Sequence, residues 1–257
     1  MFRMECKSMF LTLAFLFFVG SVAGWVLELF FRRFLSDANP ERKWINPGFC
    51  TGPYLPLYGV GLCVLYLIVS LERFSPIQSV FWNRAVLFLL ASVAMTVIEY
   101  IAGYMALKII KVRLWDYSGI PGNIQGIICP AFSLMWTILV AVYYFLIHPH
   151  ILDALSWLSH NLAFSFVIGL FFGVFIIDVI HSAEFVAKLK EFADANDVIV
   201  RYETIKTHIR NAHDKAHQKY HFFRPFRSER SLNDHLKEML ASFEARKEKH
   251  RKGNSKR

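Results

Sequence analysis

Three carboxylates stand where a carboxylate is costly. Glu28, Glu99 and Asp178 lie inside or at the ends of long apolar stretches of this 257-residue chain. A charged residue such as Asp at the centre of a bilayer-spanning helix costs about 2.5–3.5 kcal/mol on insertion scales. Such a group faces a protein interior and gains a partner, a proton or a ligand. Glu28 has Arg32 one helical turn away, a spacing that suits a local ion pair. Glu99 has no such neighbour: the fourteen residues before it and the eight after it are uncharged, and the nearest base is Lys108. Glu99 is therefore the residue expected to carry function, through substrate or proton handling. Glu28, Asp116 and Asn123 are expected in the same pocket, with Asp178 on the same side.

Two loops are unusual in the same sense. One reads Asn46-Pro47-Gly48-Phe49-Cys50-Thr51-Gly52-Pro53-Tyr54-Leu55-Pro56-Leu57-Tyr58-Gly59, the other Trp115-Asp116-Tyr117-Ser118-Gly119-Ile120-Pro121-Gly122-Asn123-Ile124-Gln125-Gly126. Both are apolar enough for membrane depth, yet full of helix breakers. Irregular backbone is tolerated there only where protein or a water-filled cavity satisfies it. Helices starting near Pro53 and Pro130 would turn unpaired N–H groups toward this layer, an arrangement that suits an anion. Asn46, Tyr58, Asn123 and Gln125 join the three carboxylates and Asp116 as candidate substrate-binding residues. Trp115 and Tyr117 also have the makings of an interfacial aromatic belt.

The elements that must position these residues are apolar spans, judged against the roughly 20 residues a crossing helix needs. Ser8–Leu27 carries no charge, and the apolar run continues past Glu28 to Phe31. Trp44–Leu71 carries none, with Pro53–Leu71 as its helix; Ala85–Leu107 is interrupted only by Glu99. Tyr117–Leu152 lacks Asp, Glu, Lys and Arg, with Ile127–Ile147 as its helix, and Ala154–Ile177 is followed at once by Asp178. The fold class expected is all-α: a polytopic membrane protein with about five transmembrane helices and a helical cytoplasmic tail. Arg3 and Lys7 before an apolar run, with Ser21-Val22-Ala23 beyond it, also fit a secretory leader. The apolar run continues through Gly24-Trp25-Val26-Leu27, which favours a retained helix.

Composition supports this division. Apolar residues make up 55% of the chain, against about 45–50% in a soluble domain. Residues 182–257 hold 18 of the 29 Lys and Arg and 11 of the 20 Asp and Glu. A soluble enzyme, a disordered chain and a disulfide scaffold are excluded. The chain reads as a transmembrane domain over 1–181 and a basic tail over 182–257. Loop Lys and Arg in the first and third loops number seven, against four at the N-terminal tip and in the second and fourth loops. That asymmetry puts the N-terminus outside and the C-terminus in the cytoplasm of a multi-pass cell-membrane protein. Glu28, Glu99 and Asp178 then share the cytoplasmic half.

The tail has helical spacing through Phe185, Leu189, Phe192, Ile199, Tyr202, Ile205 and Ile209, then a break at Pro225. A second short helix is expected around Leu232, Leu236, Met239, Leu240 and Phe243, with a disordered end over 247–257. Its charge suits anionic lipid, at about 1 kcal/mol per Lys or Arg near the surface. No nucleic-acid module accompanies it. Cys6, Cys50, Cys63 and Cys129 have no CxxC or Cys/His spacing, so neither a disulfide framework nor a metal site is expected. His148-Pro149-His150 lacks a third ligand. No cofactor is expected.

The halves resemble each other. Each has a helix with one acidic residue, Glu28 or Glu99, a Gly/Pro loop through Asn46 or Asn123, and a proline seven residues on, at Pro53 or Pro130. A parallel duplication of a two-helix hairpin would place the two glutamates about a pseudo-two-fold axis, and transporters often bind substrate at repeat interfaces.

The run Asn46–Gly59, then Glu99-Tyr100, then Trp115-Asp116-Tyr117-Ser118 with Pro121-Gly122-Asn123-Ile124 resembles the bacterial CmpB-type ABC-transporter membrane proteins. The resemblance covers most of the membrane part and implies a permease-like subunit of a transport system. The chain has no GxxxxGK[ST] phosphate loop, so an ATPase would be a separate subunit. The alternative from the residues themselves is a membrane-embedded enzyme acting on a lipid or lipid-linked substrate. Glu99 would be its general base, with Asp116 or Glu28 nearby and Asn123 and Gln125 holding a head group. A third reading is a scaffold whose basic tail recruits a partner.

Overall fold

The structure is a computed structural model, and it describes residues 2–36, 39, 41–196, 198–202, 204–205, 234–238 and 241, with side chains from residue 9 onward. It is a helical bundle. Helix α1 spans Phe2–Phe34, α2 Pro56–Ser70, α3 Val80–Ile109, α4 Pro130–Val142, α5 His148–His160 and α6 Ser165–Ala195. A 3-10 turn, Leu71–Phe74, extends α2, and a π-helical turn, Tyr143–Ile147, joins α4 to α5 without a break. Five helical segments are long and apolar enough to cross a membrane: Met9–Phe34, Pro56–Phe74, Val80–Ile109, Pro130–His160 and Leu162–Ala195. The five expected spans are thus present, with shifted ends.

Local chemistry sets those ends. Pro56 and Pro130 occupy first-turn positions of α2 and α4, where the missing N–H has no intrahelical partner to lose. Leu55 and Cys129 before them are extended, as a residue preceding proline prefers. The second helix of the first hairpin therefore begins at Pro56 rather than near Pro53. The fourth span runs past Ile147 because Pro149, which lacks an N–H, is absorbed by the π turn. There the His148 N–H reaches back five residues to the Tyr143 carbonyl. The fifth span starts after Asn161 and continues unbroken through 182 to Ala195, so the expected domain boundary falls inside one helix.

Helices α1 and α2 approach most closely around Gly59. A Cβ added there would lie 2.2 Å from Ser21 Oγ and 2.7 Å from the Phe17 carbonyl oxygen. Small residues let membrane helices pack backbone to backbone, where no hydrophobic drive separates helix from lipid. The bundle core then fills with Leu16, Leu65, Leu87, Ala91, Trp136 and Val140.

A second cluster closes one end of the bundle. Strands β1, Val112–Arg113, and β2, Val200–Arg201, pair in parallel with Val112 opposite Val200. Val112 and Val200 pack with Leu189, Ala193, Tyr202 and Leu236. The described part of the tail therefore folds back over the first and third loops: the Phe49 and Tyr202 rings lie 5.8 Å apart. Residues 234–238 are helical, as expected for the second tail helix. The break at Pro225, the rest of that helix and the segment 247–257 lie outside the described residues.

Candidate functional site

Glu28 on α1 and Glu99 on α3 lie within electrostatic reach of each other in the bundle, each bound by a tyrosine from a following element. Tyr58 on α2 donates its hydroxyl to Glu28 Oε2 at 3.3 Å, and Arg32 Nε pairs with Glu28 Oε1 at 3.0 Å. Tyr117 in the third loop donates to Glu99 Oε1 at 3.1 Å. Glu99 is only 3% exposed, and its Oε2 has no hydrogen-bond partner among the described residues. The Trp136 indole N–H on α4 lies near enough to the carboxylate to act as a weak donor, and the Glu28 charge is within electrostatic reach. Aromatic rings wall the cluster: Tyr58 and Trp136 are 5.1 Å apart, and Tyr117 stacks on Phe132 at 4.3 Å with 10° between planes. Burial, and then the Glu99 carboxylate, push the Tyr117 hydroxyl well above the ordinary phenol range, so it remains a donor.

Asp178 belongs to a different arrangement. Its carboxylate accepts the backbone N–H groups of Thr51 at 3.1 Å and Gly52 at 2.8 Å, together with the Tyr54 hydroxyl. Ser182 Oγ donates to it from the next turn of α6 at 3.3 Å. The anion that the first loop's N–H groups meet is thus a side chain of the protein itself. Burial, and then the bond to Asp178, raise the Tyr54 hydroxyl far above its usual range. Asn46 organises the same loop. Its Oδ1 accepts the Gly48 N–H at 3.0 Å and the Trp25 indole N–H at 2.8 Å, and its Nδ2 donates to the Thr51 carbonyl at 3.0 Å.

The third loop is built in the same manner. Asn123 Oδ1 accepts the Gly126 N–H at 2.9 Å, and its Nδ2 donates to the Ile120 carbonyl at 2.8 Å. Gln125 has φ +55° and an exposed side chain. Gly126 has φ +69°, and a Cβ there would strike Arg113 Nη1 at 2.3 Å, so only glycine fits. Asp116 turns toward the tail. It pairs with Arg113 at 2.9 Å and with Arg201 at 3.2 Å, and accepts the Ser118 N–H at 3.1 Å. Partial burial works against its charge, yet the Ser118 bonds and the two guanidiniums hold its carboxyl below the usual range.

Of the eight residues expected at one site, the structure brings together Glu28, Tyr58 and Glu99. Asp178 and Asn46 fasten the first loop, Asn123 and Gln125 shape the third, and Asp116 bridges the third loop to the tail. Tyr117 and Trp136 complete the glutamate cluster and were not among the eight. Tyr117 reads as an interfacial aromatic from sequence, and only its eighteen-residue reach back to Glu99 gives it this role. Among the described residues no group of three or more His, Cys, Asp or Glu is arranged to hold a metal ion.

The model of the family described as "Putative ABC-transporter type IV" matches residues 15–183, and the chain belongs to that family. The match ends within α6 and takes in every residue of the glutamate cluster. No curated protein and no solved structure matches the chain.

Proposed function

We propose, from this family membership, that the chain is the membrane, permease-like subunit of a transport system and that Glu28 and Glu99 form its polar site. The observation that carries the reading is the approach of two glutamates from separate hairpins to within electrostatic reach inside an apolar bundle, with Glu99 Oε2 buried and, among the described residues, without a close hydrogen-bond partner. A buried carboxylate oxygen without a donor is expensive. A substrate donor or a proton at that oxygen offsets the cost, and either is a step in transport. The wall of Tyr58, Trp136, Tyr117 and Phe132 favours a ligand with an apolar or cationic surface. The energy source is a separate ATPase subunit. The loop charges orient the site, the two organised loops and the tail toward the cytoplasm, and the N-terminus outward. The basic tail adds attraction to anionic lipid of the same leaflet.

Complementation of a deletion strain by Glu99→Gln and Glu99→Leu tests the reading. Glu99→Gln keeps the shape and most hydrogen bonds, so it inserts and folds normally yet fails to complement. Full complementation by Glu99→Gln would defeat any role that needs the charge. Purification in mild detergent, with co-purifying proteins identified by mass spectrometry, tests for the ATPase. Lipid turnover by the purified chain alone would favour the enzyme alternative instead.

A further inference from the structure

The end of the bundle away from Glu28 and Glu99 holds a second set of buried polar groups. Glu72 lies about 21 Å along the α2 direction from Tyr58, fourteen residues at about 1.5 Å each. Around it come Asn83 and Arg84 from the start of α3, and Tyr143, Tyr144 and His148 from the π turn and the start of α5. Arg84 Nε pairs with Glu72 Oε1 at 3.4 Å, and Asn83 Nδ2 donates to the Glu72 carbonyl at 3.5 Å. Tyr143 and His148 share a hydrogen bond of 3.0 Å between the hydroxyl and Nδ1, and the Tyr66 ring lies 6.4 Å from the imidazole. Glu72 is within electrostatic reach of both Tyr144 and His148.

Two features mark this cluster as more than packing. Asn83 is 7% exposed and Tyr144 is 8% exposed, yet Asn83 Oδ1 and Tyr144 Oη have no hydrogen-bond partner among the described residues. Each such atom gives up its bonds to water in a dry interior without a replacement. Tyr143 and Tyr144 both lie in the π turn, and both are buried. Single π turns interrupting α-helices recur at functional sites.

We propose that Glu72, Asn83, Tyr144 and His148 form a second polar site, at the opposite end of the bundle from the glutamate pair, which binds a proton on His148. The Tyr143 hydroxyl accepts as readily as it donates, so its bond to Nδ1 survives when the imidazole takes a proton from water. Glu72 supplies the counter-charge, which Arg84 partly neutralises. Asn83 Oδ1 and Tyr144 Oη supply the polar lining. The other titratable groups facing His148 are Tyr66 on α2 and Tyr143, with Cys63 beyond Tyr143 and with His150 and Asp153 exposed further along α5. Histidine within a spanning bundle is a recurrent proton station in pumps and transporters. This site is independent of the role given to Glu28 and Glu99.

The test is a titration of the full chain, isotope-labelled at histidine nitrogen and held in lipid nanodiscs, from about pH 4 to about pH 9, bracketing an ordinary imidazole. The His148 resonances are those missing from His148→Gln. They are expected to titrate, with a midpoint roughly one unit lower in Glu72→Gln and roughly one unit higher in Arg84→Gln. Opposite signs from the two variants separate electrostatic coupling from a general loss of structure. Glu28→Gln, at the far end, should leave the midpoint in place. A His148 that does not titrate in this range, or one whose midpoint ignores both Glu72→Gln and Arg84→Gln, overturns the proposal. Neither result depends on whether Glu99→Gln complements.

Discussion

Tyr117 places its hydroxyl 3.1 Å from Glu99 Oε1, so a loop residue supplies the hydrogen bond that a spanning-helix carboxylate lacks within its own helix. The pair fixes the third loop against α3. It also decides which Glu99 oxygen is left open toward Trp136. Removing the hydroxyl with Tyr117→Phe should cost about 1–3 kcal/mol, because the buried Oε1 then loses its donor. Thermal unfolding in detergent or nanodiscs should show a lowered midpoint for Tyr117→Phe and a smaller loss in the double variant with Glu99→Leu. Additive losses in the double variant would show that the two side chains do not interact.

Gly59 is one of the close contacts between α1 and α2, beside Gly20 and Gly24 on α1, and its lack of a side chain is what permits it. Gly59→Leu should drive the helices apart, since even a Cβ would meet the Phe17 backbone oxygen at 2.7 Å. Gly169 on α6 has nothing within 4 Å of its Cβ position and serves as the control. The expected outcome is a destabilisation of more than about 2 kcal/mol for Gly59→Leu and almost none for Gly169→Ala. Chemical denaturation in mixed micelles measures both.

Cys50 should be a shielded thiol. It is 4% exposed, and burial, then the Asp178 charge, push its thiol up to about 12. At pH near 8 it should alkylate at least about 100-fold more slowly than a free cysteine, because the thiolate is the nucleophile. Asp178→Asn removes a charge and loosens the Thr51 and Gly52 bonds, so labelling of Cys50 should accelerate. Maleimide labelling of a chain with Cys50 as its sole cysteine reads this directly. Equal rates in the two proteins would show that Asp178 does not hold the first loop.

Acid should unclasp the tail. The Asp116 carboxyl sits below the usual range in the folded protein. A lowered acid contributes stability above its unfolded value, near pH 4, and loses it as pH falls through the folded value. The clasp from Arg113 through Asp116 to Arg201 is therefore intact at neutral pH and released only in stronger acid. Arg201 is largely exposed, so the pair with Asp116 is worth under about 1 kcal/mol. Pepsin cleavage after Ala195 should rise steeply below about pH 4. In Asp116→Asn, trypsin should cut at Arg201 faster at neutral pH. Unchanged tryptic cleavage would remove Asp116 from the clasp.

The spans were legible because charge is scarce in the first 181 residues, and both Glu28 and Glu99 stand late in their helices, α1 and α3. Asp178 stands midway along α6, which runs on to Ala195, and it faces the first loop rather than the glutamates. Nothing in its sequence neighbourhood separates these outcomes, since its partners Thr51 and Gly52 are more than a hundred residues away. Asn46 and Asn123 did carry a readable signal. Asn-Pro-Gly and Asn-x-x-Gly are turn-forming patterns in which the side chain bonds a nearby backbone N–H, and both amides are consumed that way. The π turn had a trace in His148-Pro149, but proline predicts a disturbed ladder, not which disturbance. The fold-back of the tail depends on Val112, Val200 and Leu236, small apolar residues whose meeting no periodicity announces.

The bond from Thr51 to Asp178 also spans time. The two residues are 127 positions apart, and the acceptor belongs to the fifth of the spans among the described residues. At about 5–20 residues per second, the first loop waits roughly 6–25 s between its own synthesis and the arrival of the carboxylate that fastens it. Throughout that interval its N–H groups must be held by water or by the insertion machinery, because lipid offers them nothing. Completion of the first loop is thus a report that the chain has been made through Asp178, and a chain truncated before it presents quality-control proteases with an unfastened loop at the membrane surface.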